Sequence, residues 1–230
     1  NESFCFKEKT AEDKPEALMI MARDKDFPST WLDVWVAPNT VSTVRGNNKL
    51  LRTWDVSSTI KEQQILNRYK QATIDETNQD QELSIERMKK MPLLRSGNLS
   101  TEESEKLKRE MTELEKKQDS VRHIISKKEI EIMQQTPVET IWMDKLRGLS
   151  MEMKYMKDFP YKKEVFALYE KLSDDEKQSA IGKEISVYLY PPVTVKEGDE
   201  MADADLYDLA GNIHHLADYK GKYLLIDFWS

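Results

Sequence analysis

The alternation of apolar and polar residues changes character twice along this chain. Up to Val56 it runs in short stretches rich in β-branched and aromatic residues: Phe4-Cys5-Phe6, Ala17 to Ala22, Trp31 to Val36, Val41 to Val44 and Leu50 to Val56. Lys14-Pro15, Phe27-Pro28, Ala37-Pro38-Asn39 and Gly46-Asn47-Asn48 punctuate them. Turn formers between β-prone runs predict a small antiparallel sheet or half a sandwich over residues 1–58. Trp31 and Trp35 share one strand face with Asp33. Together with Trp54 they invite a ligand-platform reading, but such a face more often fills a core.

From Thr59 to Tyr190 the period becomes helical. Thr59-Ile60-Lys61-Glu62 has the form of a capping box, followed by Ile65, Leu66, Tyr69 and Ala72 and then Leu83, Met88 and Met91, so a helical stretch is expected to run to Pro92. Ser100-Thr101-Glu102-Glu103 opens a second helix whose apolar positions Leu107, Met111, Leu114, Val121, Ile125 and Ile132 fall on a four-three spacing, with Gln118 and Lys128 as polar interruptions. Thr136-Pro137-Val138-Glu139 is expected to start a third, carrying Trp142, Leu146, Leu149, Met153 and Met156 and ending at Phe159-Pro160. A shorter helix carries Val165, Phe166, Leu168, Tyr169 and Leu172, and Ser173-Asp174-Asp175-Glu176 caps another with Ile181, Ile185 and Leu189 on one side. Breaks at Pro92, Gly97, Pro137 and Pro160 come at hairpin-length intervals, which favours antiparallel packing within the chain over a dimerising coiled coil, although a homodimer stays open. The seam methionines read as core filler or as an adaptable peptide groove, with core filler favoured.

Pro191-Pro192 begins a linker over 191–198, after which the period changes again. Leu206 to Leu209, a turn at Ala210-Gly211-Asn212 and a second run through Leu216 predict a hairpin. A Tyr219-Lys220-Gly221-Lys222 corner leads into Tyr223 to Trp229, a near-continuous apolar run of the kind found in strands covered on both faces. The hairpin is expected to accompany that strand, with apolar cover from the helical region or a second copy.

Composition narrows the function. The 230 residues are 33% charged with a net charge of -7, which suits long solvated helices and argues against a nucleic-acid partner, because counterion release needs a concentrated basic surface. No run approaches the roughly 18 apolar residues of a membrane span. The chain opens at Asn1 with no secretory leader, which reads as a trimmed start. Cys5 is the single cysteine, so dithiol chemistry cannot occur within these residues, and in F-C-F it reads as a small buried apolar residue. His214-His215 with Asp218 makes a poor metal site, since adjacent strand residues point to opposite faces. Asn98-Leu99-Ser100 has the glycosylation pattern, without meaning in a bacterial protein. No Gly-rich phosphate loop or G-x-S-x-G is present, and no catalytic, cofactor-binding or metal residue is assigned.

The run D-L-Y-D-L-A-G-N-I-H-H-L-A-D-Y-K-G-K-Y-L-L-I-D-F-W-S, residues 205–230, resembles the opening of the thioredoxin-like domain of the TlpA/ResA group of thiol-disulfide oxidoreductases and their AhpC/TSA peroxiredoxin relatives. In that family a D-x-x-G hairpin and a K-G-K corner lead into a strand ending in F-W, with W-C-x-x-C close behind. Met201-Ala202-Asp203-Ala204 stands where the family usually has a proline. Residues N-E-S-F-C-F, W-L-D-V-W-V-A-P-N and T-W-D-V-S-S resemble the N-terminal β-domain that precedes such domains in envelope proteins of Gram-negative bacteria, with Asn39 where glycine is common. By that match N-E-S-F-C-F is a middle strand of its domain.

The resemblance implies an α+β chain: a partial N-terminal β-domain (1–58), a helical region (59–190), a linker (191–198) and the truncated opening of a thioredoxin-like domain (199–230). It further implies the N-terminal and helical part of an envelope thiol-disulfide oxidoreductase, periplasmic or envelope-anchored, whose redox motif begins past Ser230. Its partner would be a protein disulfide substrate or redox protein, and it would need no cofactor. Asp227 would then be a buried acid assisting proton transfer to cysteines. The competing expectation is a non-catalytic envelope module that binds a protein partner.

Overall fold

The structure, a computed structural model, describes residues 5–6, 13–23, 27–191, 196, 198–199 and 203–227. It mixes helices with small antiparallel sheets and divides into two units, Asn1–Pro191 and Pro192–Ser230. In the first unit the β-prone runs pair locally. Strand β1 (Glu16–Met21) lies antiparallel to β2 (Trp31–Val36), with Met19 opposite Asp33, and β3 (Thr43–Arg45) lies antiparallel to β4 (Asp55–Ser57), with Val44 opposite Val56. Asn39, in the turn after β2, has φ 57, a left-handed conformation that asparagine tolerates better than most residues.

The expected strands shrink where local bonds compete. Val41 stays outside β3. Over Leu50 to Val56 only the last residues pair, because the Leu50 carbonyl accepts from both the backbone N–H and the hydroxyl of Thr53 and winds Leu51–Thr53 into a 3-10 turn. Cys5 and Phe6 are exposed and form no strand, and Phe4 lies outside the described residues. The expectation of a buried Cys5 is therefore corrected: its thiol is exposed and lies 3.7 Å from the Phe6 carbonyl oxygen.

Strand β2 is covered on both faces. Leu32 and Val34 join Leu51 and Val56 in one apolar cluster, while Trp35 points the other way into a larger helical cluster with Ile60, Tyr69 and Trp142. A buried amide joins the parts: Gln63, only 1% exposed, accepts the Trp35 backbone N–H at 2.8 Å. Its own Nε2 donates to Asn67 Oδ1 at 3.0 Å, and Asn67 Nδ2 donates to the Val56 carbonyl at 2.7 Å.

Gln63 and Asn67 lie on α1 (Lys61–Ala72). This helix does not begin with the expected capping box. Its N-cap is Ile60, which has no side-chain acceptor, and the Ile60 N–H is taken by Ser58 Oγ. Thr73, whose hydroxyl donates to the Tyr69 carbonyl, separates α1 from α2 (Ile74–Arg95). Pro92 does not stop α2 as expected but sits in its last turn, where it leaves one intrahelical bond, that to the Met88 carbonyl, unmade.

The box at Ser100 does form: Ser100 Oγ accepts the Glu103 N–H and Glu103 accepts the Ser100 N–H, opening α3 (Thr101–Gln135). At 35 residues α3 is about 50 Å long. It packs against α2 as an antiparallel hairpin, laced by Glu76–Lys128 (2.8 Å), Asp80–Arg122 (2.9 Å) and Lys90–Glu110 (2.7 Å). Met111, Leu114 and Val121 are buried in the seam, as the four-three spacing predicts. Gln118, the polar interruption, is 1% exposed and bridges the helices: Arg87 Nη1 donates to its Oε1 (2.6 Å) and its Nε2 donates to Asp80 Oδ1 (3.0 Å).

Thr136 closes α3 instead of opening the next helix, its hydroxyl bonded to the Ile132 carbonyl, so α4 (Thr140–Tyr155) starts later than expected, with Glu139 as N-cap. Trp142 on α4 is buried, and its Nε1 donates to the Met133 carbonyl at 3.0 Å. Then follow α5 (Lys162–Tyr169), α6 (Asp174–Gln178), opened by the predicted Ser173 capping box, and α7 (Ala180–Leu189), which Ser179 caps separately. Gly182 lets α7 meet α6, since a Cβ there would fall 2.0 Å from the Glu176 carbonyl oxygen. No helix among the described residues is long and apolar enough to cross a membrane.

Two substitutions check this packing. Gln63→Leu strands the buried Trp35 N–H and should lower unfolding free energy by about 1–3 kcal/mol in urea titration. Leu114→Ala should cost about 2–5 kcal/mol and leave the oligomeric state unchanged, because its seam closes within one chain; a melting point whose concentration dependence disappears with the substitution would place the seam between chains.

Candidate functional site

The tryptophans do not make a platform. Trp35 is 8% exposed and belongs to the helical core, while Trp31, on the same face, is 49% exposed. Trp54 packs edge-on to Phe27, and its Nε1 donates to the Asn48 carbonyl at 3.0 Å. A Cβ at Gly46 would come within 1.9 Å of the Trp54 ring, so Trp54 is seated on backbone. Trp31 instead borders an apolar edge, because Leu18, Met19, Ile20 and Met21 of β1 are all well exposed.

Beside the buried end of that face lies a cluster of charged side chains. Burial raises the pKa of Asp33 on β2, against the opposing charges of Lys145 and Arg52. Burial likewise raises Asp144 on α4, partly offset by Arg147, which reaches it at 3.3 Å. Lys145 pairs with Glu129 of α3 and stands 5.3 Å from the centre of the Tyr69 ring, whose hydroxyl burial pushes up to about 12. Raised carboxyl groups are candidates for acid–base work where substrate can reach them. Two surface depressions, one lined by Met88, Met91, Pro92, Arg95 and Ser96 and the other by Lys61, Glu62, Ile65, Glu139, Thr140 and Ile141, contain none of them. The cluster ties β2, α1, α3 and α4 together. The sequence reading passed over it, although Asp144-Lys145 inside the apolar run Ile141 to Leu149 was a visible signal.

The methionines divide between core and surface. Met111, Met133 and Met143 are core, whereas Met88 and Met91 line the depression at the free end of the α2–α3 hairpin.

In the second unit the expected hairpin forms from β5 (Leu206–Tyr207) and β6 (Ile213–His214), antiparallel, with Leu206 opposite His214. Asp208 organises its turn. Oδ1 accepts the N–H groups of Ala210 (2.9 Å) and Asn212 (2.8 Å), while Oδ2 accepts from Asn212 Nδ2 (2.9 Å) and lies 3.2 Å from His214 Nε2. Gly211, at φ 85, supplies the left-handed residue the turn requires. These bonds, those from Asn212 foremost, hold the Asp208 pKa down to about 2. His215 stands between Asp203 (3.5 Å) and Asp205 (3.7 Å), and its backbone N–H goes to Asp218. The two histidines thus serve separate carboxylates, and no group of three or more His, Cys, Asp or Glu among the described residues is placed to hold a metal ion.

The apolar run that follows departs from expectation. Tyr223 to Asp227 forms no strand, and Tyr223 and Leu225 are 109% and 94% exposed. A lone strand with no neighbour leaves its backbone groups to water, and among the described residues this run has none. Asp227 is exposed and not the desolvated acid expected, while Phe228 and Trp229 lie outside the described residues. Comparison with known proteins finds no matching family model, no matching curated protein and no matching solved structure.

The Asp208 turn makes a pH prediction. A depressed carboxyl contributes stability that is complete above its ordinary value of 3.8 and is lost as pH falls through about 2. The amide shifts of Ala210 and Asn212 should therefore titrate with a midpoint of about 2 and lose that transition in Asp208→Asn; a midpoint at 3.8 would mean that the turn bonds are not made in solution.

Proposed function

We propose that this chain supplies the β and helical portion of an envelope thiol-disulfide oxidoreductase of the TlpA/ResA type, together with the opening hairpin of its thioredoxin-like domain. The observation that carries the reading is the uncovered apolar run after the hairpin. Tyr223, Leu224, Leu225 and Ile226 stand exposed, although full burial of each side chain is worth about 1.5–3 kcal/mol. Such a run is what a buried central strand looks like without its sheet. Two further features support it: the unit boundary between Pro191 and Pro192, and the tight corner before the run, where Lys222 N–H donates to the Tyr219 carbonyl at 3.0 Å and Gly221 has φ 85.

In enzymes of this class a low-pKa thiolate attacks a substrate disulfide, and a second thiol resolves the mixed disulfide. Neither thiol is among these residues, whose single cysteine is Cys5. On this reading the β and helical unit positions a protein disulfide or a redox partner in the periplasm. The competing reading, a non-catalytic envelope module, draws on the exposed apolar edge of β1, since an open edge strand can take an extended partner segment.

The coding sequence past Ser230 separates the two: W-C-x-x-C within a few codons supports the oxidoreductase, and a stop codon overturns it. The chain itself should reduce insulin disulfides no faster than its Cys5→Ser variant, because one thiol forms mixed disulfides but cannot resolve them. Multiple turnover above that level would reject the assignment of the redox chemistry to residues outside this chain.

A further inference from the structure

Strand β2 is covered on both faces, but its neighbour β1 is covered on neither: Leu18, Met19, Ile20 and Met21 are between 38% and 63% exposed. Among the described residues the sheet also ends at β1, with no strand on its outer side. The direction of the free backbone groups follows from β2. Trp35 gives its N–H to Gln63 at 2.8 Å, and its carbonyl accepts the Ser42 hydroxyl at 2.8 Å, so both groups point away from β1. In an antiparallel ladder such residues alternate, and the residue opposite one of them points outward as well. Ala17, Met19 and Met21 stand opposite Trp35, Asp33 and Trp31. Their N–H and C=O groups therefore face the open side, and among the described residues none of these groups has a hydrogen-bond partner.

The sequence of β1 is complementary to itself. A second β1, turned end over end about Met19, sets Ala17 against Met21, Met19 against Met19 and Met21 against Ala17, so that the outward groups meet in pairs and each pair exchanges both of its bonds. Leu18 then faces Ile20 on the side of the sheet that carries Leu32 and Val34, and on the other side small Ala17 leaves room for the longer Met21. Glu16 is the single charged residue of β1. In this register the two Glu16 side chains start about 20 Å apart, each opposite Ala22 of the other copy and beside its Arg23, so acidic end meets basic end. Between those ends the strand carries no charge that would select a segment of different composition.

We propose that β1 is a self-association edge: two copies of this chain pair β1 with β1, antiparallel about a two-fold axis at Met19, into a four-stranded sheet of order β2-β1-β1-β2. The contact is isologous and closed, so assembly stops at two. Two six-residue strands make a small interface, below the about 1,200 Å² at which standard interfaces begin, so the dimer exchanges with monomer as concentration falls. The open edge thereby gains a defined occupant whichever functional reading holds.

Sedimentation equilibrium of the intact chain is expected to show a reversible monomer–dimer exchange and no larger species. Met19→Lys sets two ammonium groups face to face at the axis while its exposed position leaves the monomer unaffected. Dimer should disappear in that variant, with the melting temperature at low concentration unchanged. Cysteine placement reads the register. In a Cys5→Ser background, Met19→Cys puts the two Cα atoms about 5.5 Å apart, within disulfide reach, so diamide links the copies by taking two hydrogens from the thiol pair. Met21→Cys leaves its two copies about 14 Å apart along the strands, and diamide should not link them. A parent chain that stays monomeric at millimolar concentration overturns the proposal, as does association that Met19→Lys leaves intact or linking through position 21 as fast as through position 19. If Met19→Lys does not fold, the parent's mass and the two cysteine variants decide.

Discussion

Three glutamines, Gln63, Gln81 and Gln118, each 1% exposed, hold the first unit together. A side-chain amide offers an acceptor and two donors, so a buried one must be matched on both ends or it destabilises what surrounds it. Gln63 takes the backbone N–H of Trp35, Gln81 takes that of Arg52, and Gln118 stands between Arg87 and Asp80. Asp80 in turn receives Arg122 and attracts Arg52 at 3.7 Å, so one carboxylate gathers α2, α3 and the turn before β4. Apolar burial supplies the bulk of the favourable free energy, but it is non-directional. The amides fix the register in which helices meet short strands whose own ladders are too small to do so.

What was legible in the sequence was whatever is decided within a few residues. The Ser100 and Ser173 boxes form because serine, glutamate and the backbone between them complete the motif by themselves. The box at Thr59 does not form although its pattern is equally good: the helix starts one residue later, with Ile60 as N-cap and its N–H held by Ser58 Oγ. Thr136 was equally ambiguous: its hydroxyl either caps forward or bonds back to Ile132, and the long preceding helix settles the choice. Gln118 looked like a flaw in an apolar seam, because its justification lies on another helix, at Arg87 and Asp80, which no local pattern reveals.

The candidate sites divide along the same line. The Asp208 turn is local and was visible as a hairpin, and the separation of His214 from His215 followed from strand geometry. The group of Asp33, Glu129, Asp144 and Lys145 was not visible, because it draws one strand and two helices from distant parts of the chain. The run after Lys222 was legible as chemistry but not as structure. Apolar residues in a β-prone order specify a strand only where another strand stands beside them, and the described residues of that unit provide a hairpin of two-residue strands.

Strand β2 is a wall common to two rooms. Leu32 and Val34 furnish one apolar cluster and Trp35 the other, from a single stretch of six residues. A homologue or a design that kept the helices and discarded the β hairpins would open the helical core at Trp35 and orphan Gln63, and one that kept only the hairpins would lose the far side of β2. The sheet and the helices must therefore be inherited, transplanted or lost as one piece, and a recombination breakpoint near Ser58 would cut through the interior of the unit, whereas one at Pro191 would fall at its boundary.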